Sequence, residues 1–187
     1  MSRATAPAGW EGILDPGERI LWQGRPVPGI VWRPQQLVSF LFGLAFAGFA
    51  FFWMVMASAA GGFMWMFGLI HFSVGLAVSF GPILWPAYMR RHTWYTLTDR
   101  RAFIATDAPF LGRRLKSYPI ERDTVLSYDA GTPATIHFAE VVRRTKNGTS
   151  RSDIGFVRIA DGPEVYALMR QIQRGEAAGE RDGADHG

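Results

Sequence analysis

LVSFLFGLAFAGFAFFWMVMA (residues 37–57) and FMWMFGLIHFSVGLAVSFGP (residues 63–82) are two long apolar runs in this chain. They lie within residues 34–89, which include no Asp, Glu, Lys or Arg. A helix needs roughly 20 apolar residues to cross the ~30 Å hydrocarbon layer of a membrane, so each run is long enough for one crossing. Small residues at positions 58–62 suit a tight turn between the runs. The sequence therefore predicts a transmembrane helical hairpin over residues 35–89.

Basic residues at both ends of the hairpin predict its orientation. Arg25 and Arg33 precede the first span, Arg90 and Arg91 follow the second, and the turn between the spans has no charge. Lys and Arg favour the cytoplasmic side of a membrane. We therefore expect a multi-pass membrane protein with both termini in the cytoplasm.

Small residues inside the spans are candidates for helix packing. Gly43 and Ala47 in the first span, and Ser73, Ala77 and Gly81 in the second, recur at a four-residue spacing. This spacing lets two helix backbones approach closely. We expect these faces to pack the hairpin against itself, with a dimer face as the alternative.

His71 is the only strongly titratable side chain in the two runs. An ionisable group within a membrane is a candidate for ion or proton handling, which would make the protein a small transporter or channel subunit whose hairpin oligomerises around His71. A single His without a charged partner is more typical of a neutral side chain that bonds to a neighbouring helix or lies near the far interface of the membrane. We therefore keep transport as an alternative function.

The rest of the chain is polar and suits one small soluble domain after the membrane. The chain has no cysteine, which excludes disulfides, cysteine-ligated zinc, iron–sulfur clusters and thiol catalysis. Its net charge of only +4, without a recognition helix or a base-stacking motif, argues against a nucleic-acid partner.

Short segments rich in Tyr, Thr, Val, Ile and Phe follow the hairpin and predict an antiparallel sheet. The predicted strands are residues 94–98, 101–106, 114–120, 125–129, 135–143 and 154–160. The sequence Asn147-Gly148 between the last two is a strong hairpin signal because both residues tolerate positive φ.

A C-terminal amphipathic helix completes this domain. Asp161 stands three residues before Glu164, as in a helix-capping box, and Pro163 suits the first turn. Apolar residues then recur at helical spacing as far as Ile172, and Gly175 can end the helix. We expect residues 175–187 to form a disordered tail.

Two motifs on either side of the hairpin resemble those of a known family. The sequence YTLTDRR (residues 95–101) follows the second span, and GERILWQGRP (residues 17–26) precedes the first. In this order, the motifs resemble those of the bacterial pleckstrin-homology-like (PH-like) membrane proteins of the two-span type, and the likeness covers most of residues 15–174. The resemblance implies an α+β membrane protein of the bacterial inner membrane. It implies no established biochemical activity.

The resemblance also implies a domain plan. A flexible N-terminus (residues 1–14) precedes a pre-membrane segment (residues 15–34) that docks on the PH-like domain. That domain (residues 92–174) is an antiparallel sheet or barrel, capped by the C-terminal helix and held on the cytoplasmic face.

Basic clusters are the candidate binding residues of this domain. A Lys or Arg near an anionic leaflet gains roughly 1 kcal/mol, so such clusters could meet lipid headgroups or an acidic partner. The candidates are Arg90, Arg91, Arg113, Arg114, Lys116, Arg143, Arg144, Lys146 and Arg151. The alternative is that Arg90 and Arg91 only set the membrane topology and that the others only keep the domain soluble.

Enzyme motifs are absent from the sequence. His92, His137 and His186 do not stand at metal-ligand spacing, and there is no Gly-x-Ser-x-Gly, no phosphate-binding Gly-rich loop and no His-Glu-x-x-His. We therefore expect no enzyme, metal or cofactor. The expected function is a membrane-anchored interaction module that binds anionic lipid headgroups or a protein partner, and self-association through the sheet edge is a further alternative.

Overall fold

The computed structural model describes residues 9–109, 111–145 and 148–176, without the side chains of Arg143 and Thr145. Within these residues the chain is α+β, with three helices and two antiparallel sheets. It divides into two compact units. The hairpin unit is Pro28–Arg91, and the β unit joins the residues before Pro28 to those after Arg91.

The hairpin unit contains two helices, α1 (Pro34–Ala59) and α2 (Trp65–Arg91). Both are long and apolar enough to cross a membrane. Gly61 and Gly62, with φ of +80° and +83°, form the turn between them, a conformation that glycine adopts without steric cost. Pro82 and Pro86 lie inside α2, which does not end at either proline and continues to Arg91.

A glutamine of α1 compensates for a hydrogen bond that Pro86 cannot make. In an α-helix the carbonyl of residue 82 would accept from the N–H of residue 86, and proline has no N–H. The Gln36 Nε2 donates to the Pro82 carbonyl oxygen at 2.9 Å instead. The Gln36 Oε1 also accepts from the Arg33 N–H at 3.0 Å, at the start of α1. Gln36 therefore stabilises both helices at this end of the hairpin.

The two helices approach most closely at small residues. A Cβ atom at Gly43 would lie 2.6 Å from the Gly75 carbonyl oxygen, and one at Gly75 would lie 2.7 Å from the Ala47 backbone nitrogen. The Ser79 Oγ donates to the Phe40 carbonyl oxygen at 3.0 Å, which joins α2 to α1. Gly43 and Ala47 thus lie at the contact, as their spacing predicts.

The predicted face of α2 is wrong. Ser73 and Ala77 are exposed, and Gly75 and Ser79, two residues away in each case, are buried against α1.

The β unit contains two sheets and a C-terminal helix. The first sheet has the order β1-β2-β3-β4, with β1 Ile20–Gly24, β2 Thr93–Thr98, β3 Arg101–Ala108 and β4 Gly112–Pro119. The second has the order β5-β6-β7, with β5 Ser127–Asp129, β6 Ala134–Thr145 and β7 Gly148–Ile159. The helix α3 is Gly162–Arg174.

Strand β1 comes from the segment that precedes the hairpin. It pairs antiparallel with β2, so that Trp22 lies opposite Leu97 and Gln23 opposite Thr96. The Trp22 ring lies 5.6 Å from the Phe156 ring, and its Nε1 donates to Asp161 at 3.3 Å. The Asp161 side chain therefore bonds to Trp22 and makes no capping bond to α3, which differs from the predicted capping box.

The core of the β unit lies between the sheets and α3. Its largest fully buried side chains are Leu97, Ile136, Phe156, Ile159, Val165 and Met169. Tyr95 and Phe138 pack on Phe156, with ring centroids 4.7 and 5.1 Å from it. Gly175 ends α3 with φ of +77°.

The two sheets do not close into a barrel. In the described part of the chain, β4 pairs only with β3, and β5 pairs only with β6. On the opposite side, Val27 and Arg158 join the segment after β1 to β7: the Val27 N–H donates to the Arg158 carbonyl oxygen at 2.6 Å, and the Arg158 Nε donates to the Val27 carbonyl oxygen at 3.5 Å. The outer edge of β4 is therefore open to a further strand.

Candidate interaction surface

Strand β4 carries three of the predicted binding residues on an open edge. All of its residues except Tyr118 are exposed. Because successive side chains alternate between the faces of a strand, Arg113 lies on one face and Arg114 and Lys116 on the other. We call Arg113, Arg114 and Lys116, together with the open edge of β4, the β4 surface.

The three cations of the β4 surface differ in their pairing. The Arg113 Nε lies 3.0 Å from a carboxylate oxygen of Asp107, the residue opposite it on β3. Both side chains are exposed, so this ion pair contributes at most about 1 kcal/mol. Arg114 and Lys116 make no ion pair with the described residues. They are therefore free to meet an external anion.

The basic residues of the β6–β7 hairpin form a weaker cluster. Arg144 is exposed, and the Arg151 Nε lies 3.5 Å from a Glu140 carboxylate oxygen. Lys146 and the side chain of Arg143 lie outside the described residues. The structure thus brings Arg144 and Arg151 to one two-stranded hairpin, with Arg151 partly neutralised.

Arg90 and Arg91 belong to the hairpin unit, in the last turn of α2. The Arg90 Nη2 donates to the Gly29 carbonyl oxygen at 2.8 Å, and Arg91 is exposed. Cations in the last turn also interact favourably with the negative end of the helix dipole. This arrangement gives Arg90 a structural role in the hairpin unit.

His71 lies on the exposed side of α2. Its Nδ1 is 3.2 Å from the Phe67 carbonyl oxygen, one turn earlier in the same helix, and its ring lies 5.1 Å from Phe67 and 6.1 Å from Phe46. It borders an apolar groove of about 280 Å³. No acidic or basic side chain occurs in residues 34–89 to pair with it. A proton relay through His71 would need a partner from outside residues 34–89.

Glu18 and Arg101 form a buried ion pair that the sequence does not predict. The Glu18 side chain is 0% exposed, and its Oε2 lies 2.6 Å from the Arg101 Nη2. The Thr98 Oγ1 donates to the Glu18 Oε1 at 2.6 Å, and Asp15 lies 3.0 Å from the same Arg101 nitrogen. Arg101 is therefore bound to the segment before β1 and is not available for headgroups.

This cluster shifts the pKa of the Glu18 carboxyl. Burial raises the pKa, but hydrogen bonds from Arg101, Thr98 and the Asp15 N–H lower it, and the charge of Arg101 adds to them. The pKa of Glu18 is consequently below its ordinary value of 4.5. The ionised form of Glu18 is the one that the fold stabilises.

No family model, curated protein or solved structure matches this chain. The resemblance to the PH-like membrane proteins therefore rests on the two motifs beside the hairpin. Both motifs contribute to the same sheet. The motif at residues 17–26 contains β1, and the motif at residues 95–101 begins with the last four residues of β2. Within the described residues, no group of three or more His, Asp or Glu is placed to hold a metal ion.

Proposed function

We propose that this chain is a membrane-anchored interaction module whose β unit binds an extended, acidic segment of a protein partner along the β4 surface. The hairpin unit spans the bacterial inner membrane, and the β unit is a PH-like domain on its cytoplasmic side. The observation that carries the proposal is that, among the described residues, no strand pairs with the outer edge of β4 and none forms an ion pair with Arg114 or Lys116 beside it.

Exposed apolar side chains support a membrane location for the hairpin unit. The outward faces of α1 and α2 carry large apolar residues such as Phe42, Phe49, Phe52 and Ile70, each more than half exposed. Exposure of so large an apolar surface to water would be unfavourable, whereas the hydrocarbon chains of lipids would cover it. The helix lengths suit the hydrocarbon layer.

The pairing of β1 with β2 supports two crossings. Residues 20–24 precede the hairpin and pair with residues 95–98, which follow it. Both strands must therefore lie on one side of the membrane, and an even number of spans meets that requirement. Arg33, Arg90 and Arg91 favour the cytoplasmic side for that end.

The open edge of β4 suits strand addition. An unpaired edge presents main-chain N–H and C=O groups to an incoming strand, and each hydrogen bond gained contributes about 0.5–1.5 kcal/mol. Cations beside the edge add electrostatic attraction to an acidic segment and make the binding salt-dependent. Main-chain bonds give affinity, and Arg114 and Lys116 select the acidic sequence.

Charge makes self-pairing through β4 less favourable. Two copies of β4 side by side would bring the basic cluster Arg113, Arg114 and Lys116 of one copy close to that of the other. Like charges on neighbouring strands destabilise the pairing. An acidic segment of a different protein avoids this repulsion.

A fluorescent peptide that alternates Glu and Val, matched in length to β4, tests the proposal. It is titrated against the full-length protein in nanodiscs of zwitterionic lipid, and binding is measured by anisotropy. We expect the double variant R114Q/K116Q to weaken binding by about tenfold or more, since two charge-assisted contacts are lost. The matched control R144Q/R151Q removes two arginines from the β6–β7 hairpin and should leave binding unchanged.

A backbone-methylated peptide of the same sequence separates strand addition from simple charge attraction. Methylation removes main-chain donors but keeps the carboxylates, so this peptide should bind weakly. Equal binding of both peptides would contradict strand addition. Protection of the β4 amides from hydrogen exchange by anionic nanodiscs, with no binding of either peptide, would assign the β4 surface to lipid headgroups instead.

A further inference from the structure

A second recess lies on the face of the first sheet that carries Trp94. It is a groove of about 500 Å³. Trp94, Ala105 and Leu115 lie side by side on β2, β3 and β4 and form its floor. Arg114 and Lys116 point from the opposite face of β4. We call this recess the Trp94 groove.

Its shape arises from one small residue between larger ones. Ala105 stands between Trp94 and Leu115 across the sheet, and its short side chain leaves the floor hollow. Trp10 forms a wall, and its ring is held edge-on against Phe103 with centroids 5.3 Å apart. Because Phe103 is buried in the sheet, the wall is anchored. With Gln23 and Arg25, the groove is therefore built from five segments of the chain.

A cation lies at the border of the Trp94 groove. The Arg25 Cζ lies 4.6 Å from the centroid of the Trp94 ring, which places the guanidinium over the ring face. Arg25 makes no ion pair with the described residues, and none of the described residues that line the groove is acidic. A guanidinium held by an indole keeps its hydrogen-bond donors available for an anion.

Two further polar groups stand near this cation. The Gln23 Nε2 donates to the Thr96 Oγ1 at 3.2 Å, which fixes the Gln23 amide at the groove. An apolar recess of 300–1,000 Å³ with a few convergent polar groups is the usual form of a small-molecule site. The charge and the walls together define the chemistry of its ligand.

We propose that the Trp94 groove binds a small amphiphilic carboxylate, with an apolar ring or short acyl body and one anionic end. Arg25 binds the carboxylate, in the two-point geometry that guanidinium and carboxylate share. The body lies against Trp10, Trp94 and Leu115, above Ala105. This site does not depend on strand addition at β4 and goes beyond the proposed function.

The test uses naphthalene-2-carboxylate and its uncharged counterpart naphthalene-2-methanol. Each is titrated by calorimetry against the full-length protein in zwitterionic nanodiscs, with empty nanodiscs as the baseline for partition into lipid. We expect the carboxylate to bind about tenfold or more tightly than the alcohol, because only the carboxylate can pair with Arg25. The variant Arg25→Gln should reduce its affinity to that of the alcohol.

Two further variants locate the site. Ala105→Leu fills the hollow floor and should abolish binding of both compounds, and a melting curve checks that this variant folds. Arg100→Gln, which removes an exposed arginine from the β2–β3 turn, should leave the affinity unchanged. If Ala105→Leu fails to fold, Arg25→Gln alone decides the proposal.

Three results would overturn the proposal. They are no binding of the carboxylate, equal affinities for the acid and the alcohol, and an unchanged affinity in Arg25→Gln. The double variant R114Q/K116Q separates this site from the β4 surface, since it should weaken peptide binding and leave carboxylate binding intact.

Discussion

At the residue scale, Glu18 joins the segment before β1 to the β2–β3 turn. Its buried carboxylate accepts from Arg101 and Thr98. In Glu18→Gln the amide cannot pair with the Arg101 charge, and we expect the free energy of unfolding of the β unit to fall by about 2–3 kcal/mol. Denaturant unfolding of the nanodisc-embedded protein, followed by tryptophan fluorescence, measures this loss.

The matched control for Glu18→Gln is Asp123→Asn, which neutralises an exposed carboxylate in the turn before β5. It should change the unfolding free energy by no more than about 0.5 kcal/mol. An equal loss in the two variants would mean that net charge, and not the Glu18 ion pair, determines the effect.

Acid should weaken the same contact. Because folding lowers the pKa of Glu18, the unfolded chain binds this proton more readily than the folded protein does. The stabilisation by Glu18 is complete above the unfolded value of 4.5 and is lost as the pH falls below it, through the lower folded pKa. As the pH is lowered through this range, the free energy of unfolding should fall more steeply in the wild type than in Glu18→Gln. Identical pH profiles would contradict the lowered pKa.

The partner of Arg101 also marks a limit of sequence reasoning. Along the chain, the acidic residue nearest to Arg101 is Asp99, two residues away in the turn. The observed partner Glu18 is 83 residues away along the chain, because β1 lies beside β2. A pairing between residues so far apart depends on the fold, so short-range sequence patterns do not predict it.

At the element scale, close backbone contact determines how α1 and α2 pack. Small residues are frequent in both helices, so a four-residue spacing fits more than one face of α2. The face that contains Gly75 and Ser79 permits the bond from Ser79 to the Phe40 carbonyl oxygen, which the predicted face lacks. The sequence thus predicts that such a contact exists, but it does not determine its register.

Gly43→Val tests this contact against a control in the same helix. A Cβ at Gly43 would lie 2.6 Å from the Gly75 carbonyl oxygen, whereas one at Gly48 would have no neighbour within 4 Å. We expect Gly43→Val to destabilise the hairpin by about 1–3 kcal/mol through overpacking, and Gly48→Val to have little effect. Thermal unfolding in detergent measures the difference. Equal melting temperatures would mean that the helices do not meet at Gly43.

At the scale of the whole molecule, the helical hairpin and most strands follow from apolar patterning. The sequence places the last strand at residues 154–160, but β7 begins at Gly148. Residues 148–153 are exposed and polar on both faces, so they lack the alternation that marks a half-buried strand. Strand β1 is short and stands between Gly and Pro residues, and only its pairing with β2 makes it a strand.

The pairing of β1 with β2 across the hairpin leads to a prediction about topology. The native chain has no cysteine, so single-cysteine variants can be labelled with an impermeant maleimide without background. In intact bacterial cells we expect Ala60→Cys, at the turn of the hairpin, to react. Arg19→Cys and Glu121→Cys, on either side of the hairpin in the sequence, should react only after the cells are permeabilised.

Labelling of Arg19→Cys and Glu121→Cys from opposite sides would contradict the β1–β2 pairing, because the two strands would then be separated by the membrane. Labelling of both from outside, with Ala60→Cys protected, would keep the hairpin and reverse the orientation that the flanking arginines predict.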